Sequence, residues 1–388
     1  MIDRIAISGY RSIRELVLRL GQLTVVTGVN GAGKSNLYRA LRLLGGAARG
    51  DLAQSLAIEG GFSSVLWAGP EQISQAMRDG SVPVQGTLRR KPISLKLAIC
   101  ADPYSYCLDL GLPVPMGSMF DRDPEVKREG IWVGPDWQAR ALCVDRRRDS
   151  LRCRRANGKW QEIDLALTRN ASVMSQFADP FHAPEVILMR EQFCQWRFYD
   201  SFRCDQQAPA RTVSSQTFTP ILSNDGSDLA AAIQTIVEIG DAEGLQGAID
   251  QAFPGATVQI VRSGHGLQLM FNQPGMLRQL RASELSDGTL RYLLLIAALL
   301  SPRPPALLVL NEPESSLHPD LIRPLARMIQ LAAASSQVIV VSHNDMLLSE
   351  LVKDSEECCE VHLVKKLGET VIENENLLDR YGFKWPAR

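Results

Sequence analysis

The sequence lacks the features that would place the whole protein in a membrane or on a nucleic acid. No run approaches the about 18 consecutive apolar residues of a membrane-spanning helix, and the first residues carry charges where a signal peptide needs an apolar core. The formal net charge of −1 excludes a globally basic protein and restricts any polyanion site to a local patch. We therefore expect a cytoplasmic protein without a membrane partner.

Several catalytic and structural motifs are also missing. The eight cysteines form no CxxC pair, so we expect buried or idle thiols rather than a zinc site. The HExxH and nucleophile-elbow patterns do not occur. No heptad pattern continues for several turns between Ser35 and Ser283, which excludes a long coiled-coil arm in that region. Any chemistry must therefore come from another kind of motif.

A glycine loop near the N-terminus provides that motif. The apolar run 23–27 leads into Gly-Val-Asn-Gly-Ala-Gly-Lys-Ser, and the helical pattern 36–44 follows it. Strand, glycine loop and helix in this order are typical of a P-loop, in which backbone amides face an anion, Lys34 adds a charge for the β- and γ-phosphates and the Ser35 hydroxyl ligates Mg²⁺. We predict a nucleoside triphosphate site whose loop residues are Gly28, Asn30, Gly31, Ala32, Gly33, Lys34, Ser35 and Asn36.

A second set of motifs lies near the C-terminus. The segment 283–289, which contains Leu-Ser-Asp-Gly-Thr, precedes the apolar helical pattern 290–300. The short apolar run 306–310 ends in Asn-Glu-Pro-Glu, and the buried-strand pattern 337–341 ends in Ser-His-Asn. Polar residues at the carboxyl ends of parallel strands are where an α/β sheet binds its ligand.

The order of these motifs resembles the ATPase heads of the ABC class. Within that class the chain is similar to the RecF/SMC branch, in the compact group called AAA family ATPases, because residues 5–13 resemble the opening strand of that branch and its aromatic-Arg-Ser element. The motifs cover roughly residues 1–45 and 280–345. This resemblance implies an α/β P-loop NTPase fold with a mainly parallel core sheet, an antiparallel β lobe and a helical second lobe.

In that class two heads clamp two nucleotides, each bound by the P-loop of one subunit and capped by the signature loop of the other. The resemblance therefore implies ATP and Mg²⁺ as cofactors and an ATP-dependent homodimer. The residues that it assigns to catalysis are Lys34, Glu312 and His343, those that it assigns to Mg²⁺ are Ser35 and Asn311, and those that would cap the partner's nucleotide are Ser286 and Gly288.

Two positions depart from the pattern of the class. Asn311 stands where a Walker B Asp is usual, which removes one negative charge from the metal environment and predicts weak Mg²⁺ binding and slow turnover. Asp287 stands inside the signature loop, which is the Leu-Ser-Asp-Gly-Thr segment 285–289. There its carboxylate would repel a partner's γ-phosphate unless the side chain turns away. The adenine contact is open between Tyr10 and Arg11, and the candidates for the glutamine loop are Gln54, Gln72 and Gln75.

Simpler interpretations remain open for several of these residues. His343 would cap a helix that begins near Asn344, His318 would be a turn residue before Pro319, and Glu314 would be a carboxylate favoured by a helix N-terminus.

The middle of the chain predicts an antiparallel lobe. Alternation with period two between about residues 80 and 170, with a turn at Asn157-Gly158, favours strands in the segments 86–100, 104–110, 139–145 and 151–165. The aromatic segment 187–203 predicts an amphipathic helix that covers the core. We place the first lobe at residues 1–210 and the second at residues 211–388.

An arginine-rich hairpin is the one basic patch that stands out. Residues 140–155 contain seven Arg and two Asp, and alternation would put several guanidinium groups on one face. A solvated hairpin face and a surface for DNA, RNA or an acidic protein both remain open, with these candidate contacts: Arg146, Arg147, Arg148, Arg152, Arg154 and Arg155.

The predicted function is that of an ABC-class ATPase head that hydrolyses ATP slowly and acts as a conformational switch in DNA repair, DNA maintenance or phage defence. The alternative is a nearly inactive nucleotide sensor that licenses a partner effector protein.

Overall fold

The computed structural model describes residues 1–71, 73–83, 93–200, 202–353, 358–373 and 382–388. The chain forms two compact units, of which unit 1 comprises Met1–Leu20, Thr27–Gln195 and Val361–Arg388, and unit 2 comprises Gly21–Val26 and Trp196–Glu360. The two predicted lobes are continuous in sequence, whereas these units alternate along the chain. No helix among the described residues is long and apolar enough to cross a bilayer.

The strands up to residue 200 are β1 (Ile2–Tyr10), β2 (Ile13–Arg19), β3 (Leu23–Gly28), β4 (Leu95–Ala101), β5 (Tyr104–Gly111), β6 (Glu125–Val133), β7 (Leu142–Arg147), β8 (Ser150–Arg154), β9 (Trp160–Ile163) and β10 (Arg197–Tyr199). The later strands are β11 (Ser214–Ser215), β12 (Thr257–Ser263), β13 (Gly266–Asn272), β14 (Leu280–Arg281), β15 (Leu307–Asn311), β16 (Gln337–Val341), β17 (Cys358–Lys366) and β18 (Glu369–Ile372).

The α-helices of unit 1 are α1 (Lys34–Arg49), α2 (Leu52–Ile58), α3 (Phe62–Val65), α4 (Gln75–Arg78), α5 (Val173–Gln176) and α6 (Pro184–Cys194). Those of unit 2 are α7 (Leu229–Ile239), α8 (Ala242–Ala252), α9 (Asp287–Leu299), α10 (Ile322–Ala333) and α11 (Asp345–Lys353).

Unit 1 contains an eight-stranded antiparallel sheet in the order β2-β1-β4-β5-β6-β7-β8-β9. This sheet confirms the antiparallel lobe that the alternation predicts. The turn at Asn157-Gly158 joins β8 to β9, and Gly158 has a φ of 80°, a left-handed conformation that glycine adopts without strain. Strand β6 has no counterpart among the predicted segments, and the first residues of the segment 86–100 lie outside the described residues.

Helix α1 is the main helix of unit 1. Leu37, Leu41 and Leu44 recur at helical spacing and are buried, and the helix packs against α6. Gly50 ends the helix in the left-handed conformation typical of a C-terminal glycine. Because its apolar face is fixed in this way, the first turn at Lys34 has a defined position.

Unit 2 contains a parallel arrangement of β10, β15, β16 and the first four residues of β3. The register places Asn311 beside Val341 and Val341 beside Val26, so these strands end at one edge. The strands are buried on both faces, as expected for the centre of an α/β sheet. The mainly parallel core sheet of the prediction is confirmed.

The predicted helix 187–203 is wrong in its second half. Helix α6 ends at Cys194, and Arg197–Tyr199 form β10, which pairs in parallel with β15. Trp196, Phe198 and Tyr199 are all buried, so this stretch favours a strand covered on both faces over a helix with one polar face, although β10 is the edge strand of its sheet. The expectation that its aromatics pack in the core is confirmed.

Candidate active site

The glycine loop of unit 1 begins at the end of β3 and stops at the first residue of α1. Gly28, Gly31 and Gly33 have φ values of 146°, 81° and 110°, which side chains rarely adopt. A Cβ on Gly28 would lie 2.3 Å from the Leu363 carbonyl oxygen. The loop therefore needs glycine both for its backbone conformation and for close approach.

Lys34 lies over this loop. Its Nζ donates to the Gly28 carbonyl oxygen at 2.5 Å and to that of Val29 at 3.4 Å, and the residue is only 6% exposed. Ser35, in the first turn of α1, is exposed. The predicted phosphate and Mg²⁺ groups of the P-loop are thus together at one helix N-terminus, where the helix dipole favours an anion.

Thr370 on β18 supports the loop from the C-terminal hairpin. Its buried hydroxyl donates to the Ala32 carbonyl oxygen at 2.8 Å and lies 2.7 Å from the Ser12 hydroxyl. Asn36 Nδ2 donates to the same Ser12 oxygen at 2.7 Å. Thr370 was not identified from the sequence, because nothing in the sequence near residue 370 marks it as a neighbour of a glycine loop.

Arg11 has a specific partner in unit 1. Its guanidinium donates to Glu59 Oε2 at 2.8 Å, and the Tyr10 hydroxyl donates to the same oxygen at 2.6 Å. Burial and this hydrogen bond raise the pKa of Tyr10 above its usual value. Arg11 also has a φ of 47°, so the turn after β1 is a strained segment held by an ion pair.

In unit 2, Asn311 ends β15 beside an acidic neighbour. Its Nδ2 donates to Asp200 Oδ1 at 2.8 Å. Asp200 follows β10 directly and is exposed, so a carboxylate stands at the same sheet edge as the Walker B position. Sequence reasoning missed Asp200 because the strand before it was predicted as a helix.

Glu312 follows Asn311 with a φ of 47°, a conformation that costs on the order of 1–3 kcal/mol in a non-glycine residue. Its amide donates to the Val341 carbonyl oxygen at 2.8 Å, which holds the turn against β16. His343 Nδ1 lies 3.6 Å from Glu312 Oε1. Unit 2 therefore brings together Glu312 and His343, two of the residues predicted to act in catalysis.

The three simpler interpretations can be compared with the geometry. Asn344 Oδ1 accepts from the Leu347 amide at the start of α11, so Asn344 caps this helix. Glu314 is buried and accepts a hydrogen bond from the Ser342 hydroxyl at 2.6 Å, so it is a core contact rather than a surface carboxylate at a helix end. His318 Nδ1 accepts from the Asp320 amide at 3.4 Å in the turn before α10.

The signature loop begins α9. The Ser286 hydroxyl accepts from the Thr289 amide at 3.1 Å, which makes Ser286 the N-cap, and a Cβ on Gly288 would lie 3.1 Å from the Ser316 carbonyl oxygen. Asp287 is ion-paired with Arg211 at 2.7 Å. The repulsive carboxylate that the sequence predicts therefore has a cationic partner in this structure.

Arg291 lies one turn further along α9 and is only 6% exposed. Its Nη2 donates to the Glu312 carbonyl oxygen at 3.3 Å, so it ties the signature helix to the Glu312 turn. Burial lowers the pKa of Arg291, while the negative charges of Glu314, Asp200 and Glu312 act in the opposite direction. This buried cation was also missed from the sequence.

The predicted arginine patch is wrong in one member. Arg146 is fully buried and donates to the carbonyl oxygens of Ala171 and Thr168, so it cannot face a polyanion. Arg152 and Arg154 lie 4.7 and 4.9 Å from the Trp160 ring centroid. Of the six candidate contacts, Arg147, Arg148 and Arg155 are exposed, and Arg140 at the start of the same segment is exposed as well.

Of the glutamine-loop candidates, Gln54 lies in α2, Gln75 begins α4, and Gln72 lies outside the described residues. None of the contacts described above involves Gln54 or Gln75.

Residues 23–349 match a family model described as "AAA domain, putative AbiEii toxin, Type IV TA system". The match covers most of the 388 residues. The chain belongs to this family. No curated protein matches it.

Solved structures give the fold of this AAA family member. An SMC head bound to the C-winged helix domain of ScpA is similar with a TM-score of 0.51 and 13% identity, over 96% of this chain and 97% of that chain. The SMC head domain from Thermotoga maritima gives 0.47 and 14%, over 96% and 97%. A head with an extended coiled coil, bound to the C-terminal domain of ScpA from Pyrococcus furiosus, gives 0.47 and 12%, over 96% and 95%. The first of these structures shows that the fold is that of an SMC head, in agreement with the P-loop NTPase fold expected from the sequence.

Proposed function

We propose that this protein binds ATP with Mg²⁺, hydrolyses it slowly and dimerises in the ATP-bound state. The conformation of the glycine loop supports nucleotide binding, the central part of this proposal. Three glycines at positive φ and the buried Lys34 form an anion-binding loop at the start of α1. Membership of an AAA-type ATPase family supports the same conclusion.

The residues present fit Mg²⁺ bound with a nucleotide. Mg²⁺ bound with a nucleotide is held largely by phosphate oxygens, water and a few protein oxygens. In unit 1 the Ser35 hydroxyl supplies such an oxygen, and in unit 2 Asn311 and Asp200 supply others. Bound Mg²⁺ would neutralise charge on the β- and γ-phosphates.

In this proposal Glu312 polarises the attacking water and His343 contacts the γ-phosphate. The 3.6 Å separation of Glu312 Oε1 and His343 Nδ1 supports a shared task. Lys34 would leave the carbonyl oxygens of Gly28 and Val29 to contact phosphate, a group with which its charge interacts more strongly. Positioning and charge stabilisation account for most catalysis in phosphoryl transfer.

Dimerisation on ATP is tested by light scattering on the Glu312→Gln protein with Mg²⁺ and either ATP or ADP. Removal of the polarising carboxylate should trap the ATP-bound dimer. We expect a shift from monomer to dimer with ATP alone, abolished by Ser286→Arg, because Ser286 begins the helix that would cap the partner's nucleotide. Bound ATP without any change in mass would contradict the proposed dimer.

The cellular role that we propose is in phage defence or DNA maintenance. The family description names a toxin of a toxin–antitoxin system, which supports a defence context. The exposed Arg147, Arg148 and Arg155 support DNA as a binding partner, and an effector protein is a second partner class.

The alternative proposal is a nucleotide sensor with almost no turnover that licenses an effector protein. Asn311 at the Walker B position favours it. The ATPase rates of the parent and of the Asn311→Asp protein distinguish these two proposals. Negligible turnover in the parent, with a large gain in the variant, supports the sensor. Measurable turnover in the parent supports the switch.

A further inference from the structure

We infer that Arg211 neutralises Asp287 in the signature loop, and that this ion pair lets the loop approach the triphosphate bound to a second copy of the chain. The inference rests on the ATP-dependent dimer proposed above and assigns a role to a residue outside all of the predicted motifs.

The geometry fixes the position of the Arg211 cation. Its Nη2 lies 2.7 Å from Asp287 Oδ1, and the Arg211 side chain is 6% exposed whereas that of Asp287 is 65% exposed. The remaining N–H groups donate to main-chain carbonyl oxygens, namely Nη1 to Ala282 and Leu285 and Nε and Nη2 to Cys204. Because these bonds hold the guanidinium, its charge stays beside the signature loop.

The ion pair matters because of where α9 begins. A helix N-terminus carries a partial positive charge that attracts phosphate, and Asp287 lies in the first turn of α9. An unpaired carboxylate there would cancel this attraction. With Arg211 in place the two side chains carry no net charge, and the N-terminal amides of α9 keep their favourable potential.

Asp205, a further charged residue beside Arg211, already has a partner of its own. The Asp205 carbonyl oxygen accepts from Arg211 Nε at 3.0 Å, but its carboxylate forms an ion pair with Arg203 at 2.9 Å. Removal of the Arg211 cation would therefore leave Asp287 as a newly unpaired charge at the start of α9.

The test measures ATP-driven self-association by light scattering for four full-length proteins: the parent, Arg211→Gln, Asp287→Asn and the double variant. A non-hydrolysable ATP analogue with Mg²⁺ removes any effect of turnover. We expect Arg211→Gln to weaken association at least tenfold, and the double variant to return to within about threefold of the parent because the net charge of the pair is again zero.

A purely structural role for Arg211 gives a different result. Its bonds to Ala282, Leu285 and Cys204 are lost in both the single and the double variant, so a double variant as weak as Arg211→Gln would overturn the inference. Association that fails in the parent while the analogue binds would instead refute the proposed dimer itself.

Asp287→Asn gives a second, independent readout should Arg211→Gln not fold. This variant leaves Arg211 charged, so association should be at least as tight as in the parent and should weaken more steeply with added salt. A loss of more than threefold would show that the Asp287 carboxylate itself is needed, which would overturn the inference.

Discussion

Asn311 Nδ2 donates to Asp200 Oδ1 at 2.8 Å, so the residue that lacks the Walker B charge is bonded to a neighbour that carries one. Asp200 follows the strand that pairs directly with β15. The Asp200 carboxylate therefore lies at the same edge of the sheet as position 311, where the usual Walker B carboxylate is missing.

The first prediction concerns this pair. Asp200→Asn should weaken the Mg²⁺ affinity of the ATP complex about tenfold, because a carboxylate is a stronger ligand for Mg²⁺ or its bound water than an amide. The charge-swapped protein, with Asp200→Asn and Asn311→Asp, should regain it. Mn²⁺, a paramagnetic substitute for Mg²⁺, allows the affinity of the site to be measured by electron paramagnetic resonance, and an Asp200→Asn protein with unchanged Mn²⁺ binding would contradict the role.

The second prediction concerns Thr370. Thr370→Val keeps the shape of the side chain but leaves the buried Ala32 carbonyl oxygen without its hydroxyl donor, which costs about 1–3 kcal/mol. We expect ATP affinity to fall about tenfold, since the loop loses the contact that holds it. Thr370→Ser is the matched control and should bind ATP like the parent in calorimetry. Equal affinities for the Val and Ser variants would show that the hydroxyl has no part in nucleotide binding.

The third prediction separates two roles of Arg291. Arg291→Met removes the buried guanidinium that donates to the Glu312 carbonyl oxygen and should destabilise the protein by about 1–3 kcal/mol. Arg291→Lys keeps the charge and should lose less stability. The Lys side chain cannot reproduce the guanidinium contact with the Glu312 carbonyl oxygen, so its kcat should still fall several-fold.

Thermal unfolding and ATPase rates check both parts of this prediction. A Lys variant with parental turnover would show that the contact with Glu312 does not hold the catalytic turn.

The sequence predicts the local parts of this site well and the distant contacts poorly. The glycine loop and the strand Gln337–Val341 follow from glycine positions and a short apolar run, which are local patterns. The fold class follows from the order of such motifs. Asp200 was missed because its strand has only three residues and lies beside a helix of similar composition.

Thr370 and Arg211 were missed for a different reason. Thr370 contacts Ser12 and Ala32, and Arg211 contacts Asp287, so each acts on residues far away in the sequence. Neither carries a motif of its own. Contacts of this kind depend on tertiary packing, which single-sequence patterns do not encode.

The last prediction tests the arginine patch for DNA binding. Arg147, Arg148 and Arg155 are exposed and available for phosphate contacts, whereas Arg146 is buried. If DNA binds here, changing the three exposed residues to Glu should abolish binding, and the affinity of the parent should fall steeply between about 50 and 200 mM salt because counterions are released.

Arg146→Gln provides the contrast. It should destabilise the protein, since Arg146 bonds the carbonyl oxygens of Thr168 and Ala171 and pairs with Glu129, but a folded fraction should keep its DNA affinity. Fluorescence anisotropy with a labelled duplex, together with thermal unfolding, measures both effects. DNA binding that survives the triple Glu change would exclude Arg147, Arg148 and Arg155 as the contacts and favour the solvated-face interpretation, because a phosphate backbone reaches exposed cations first.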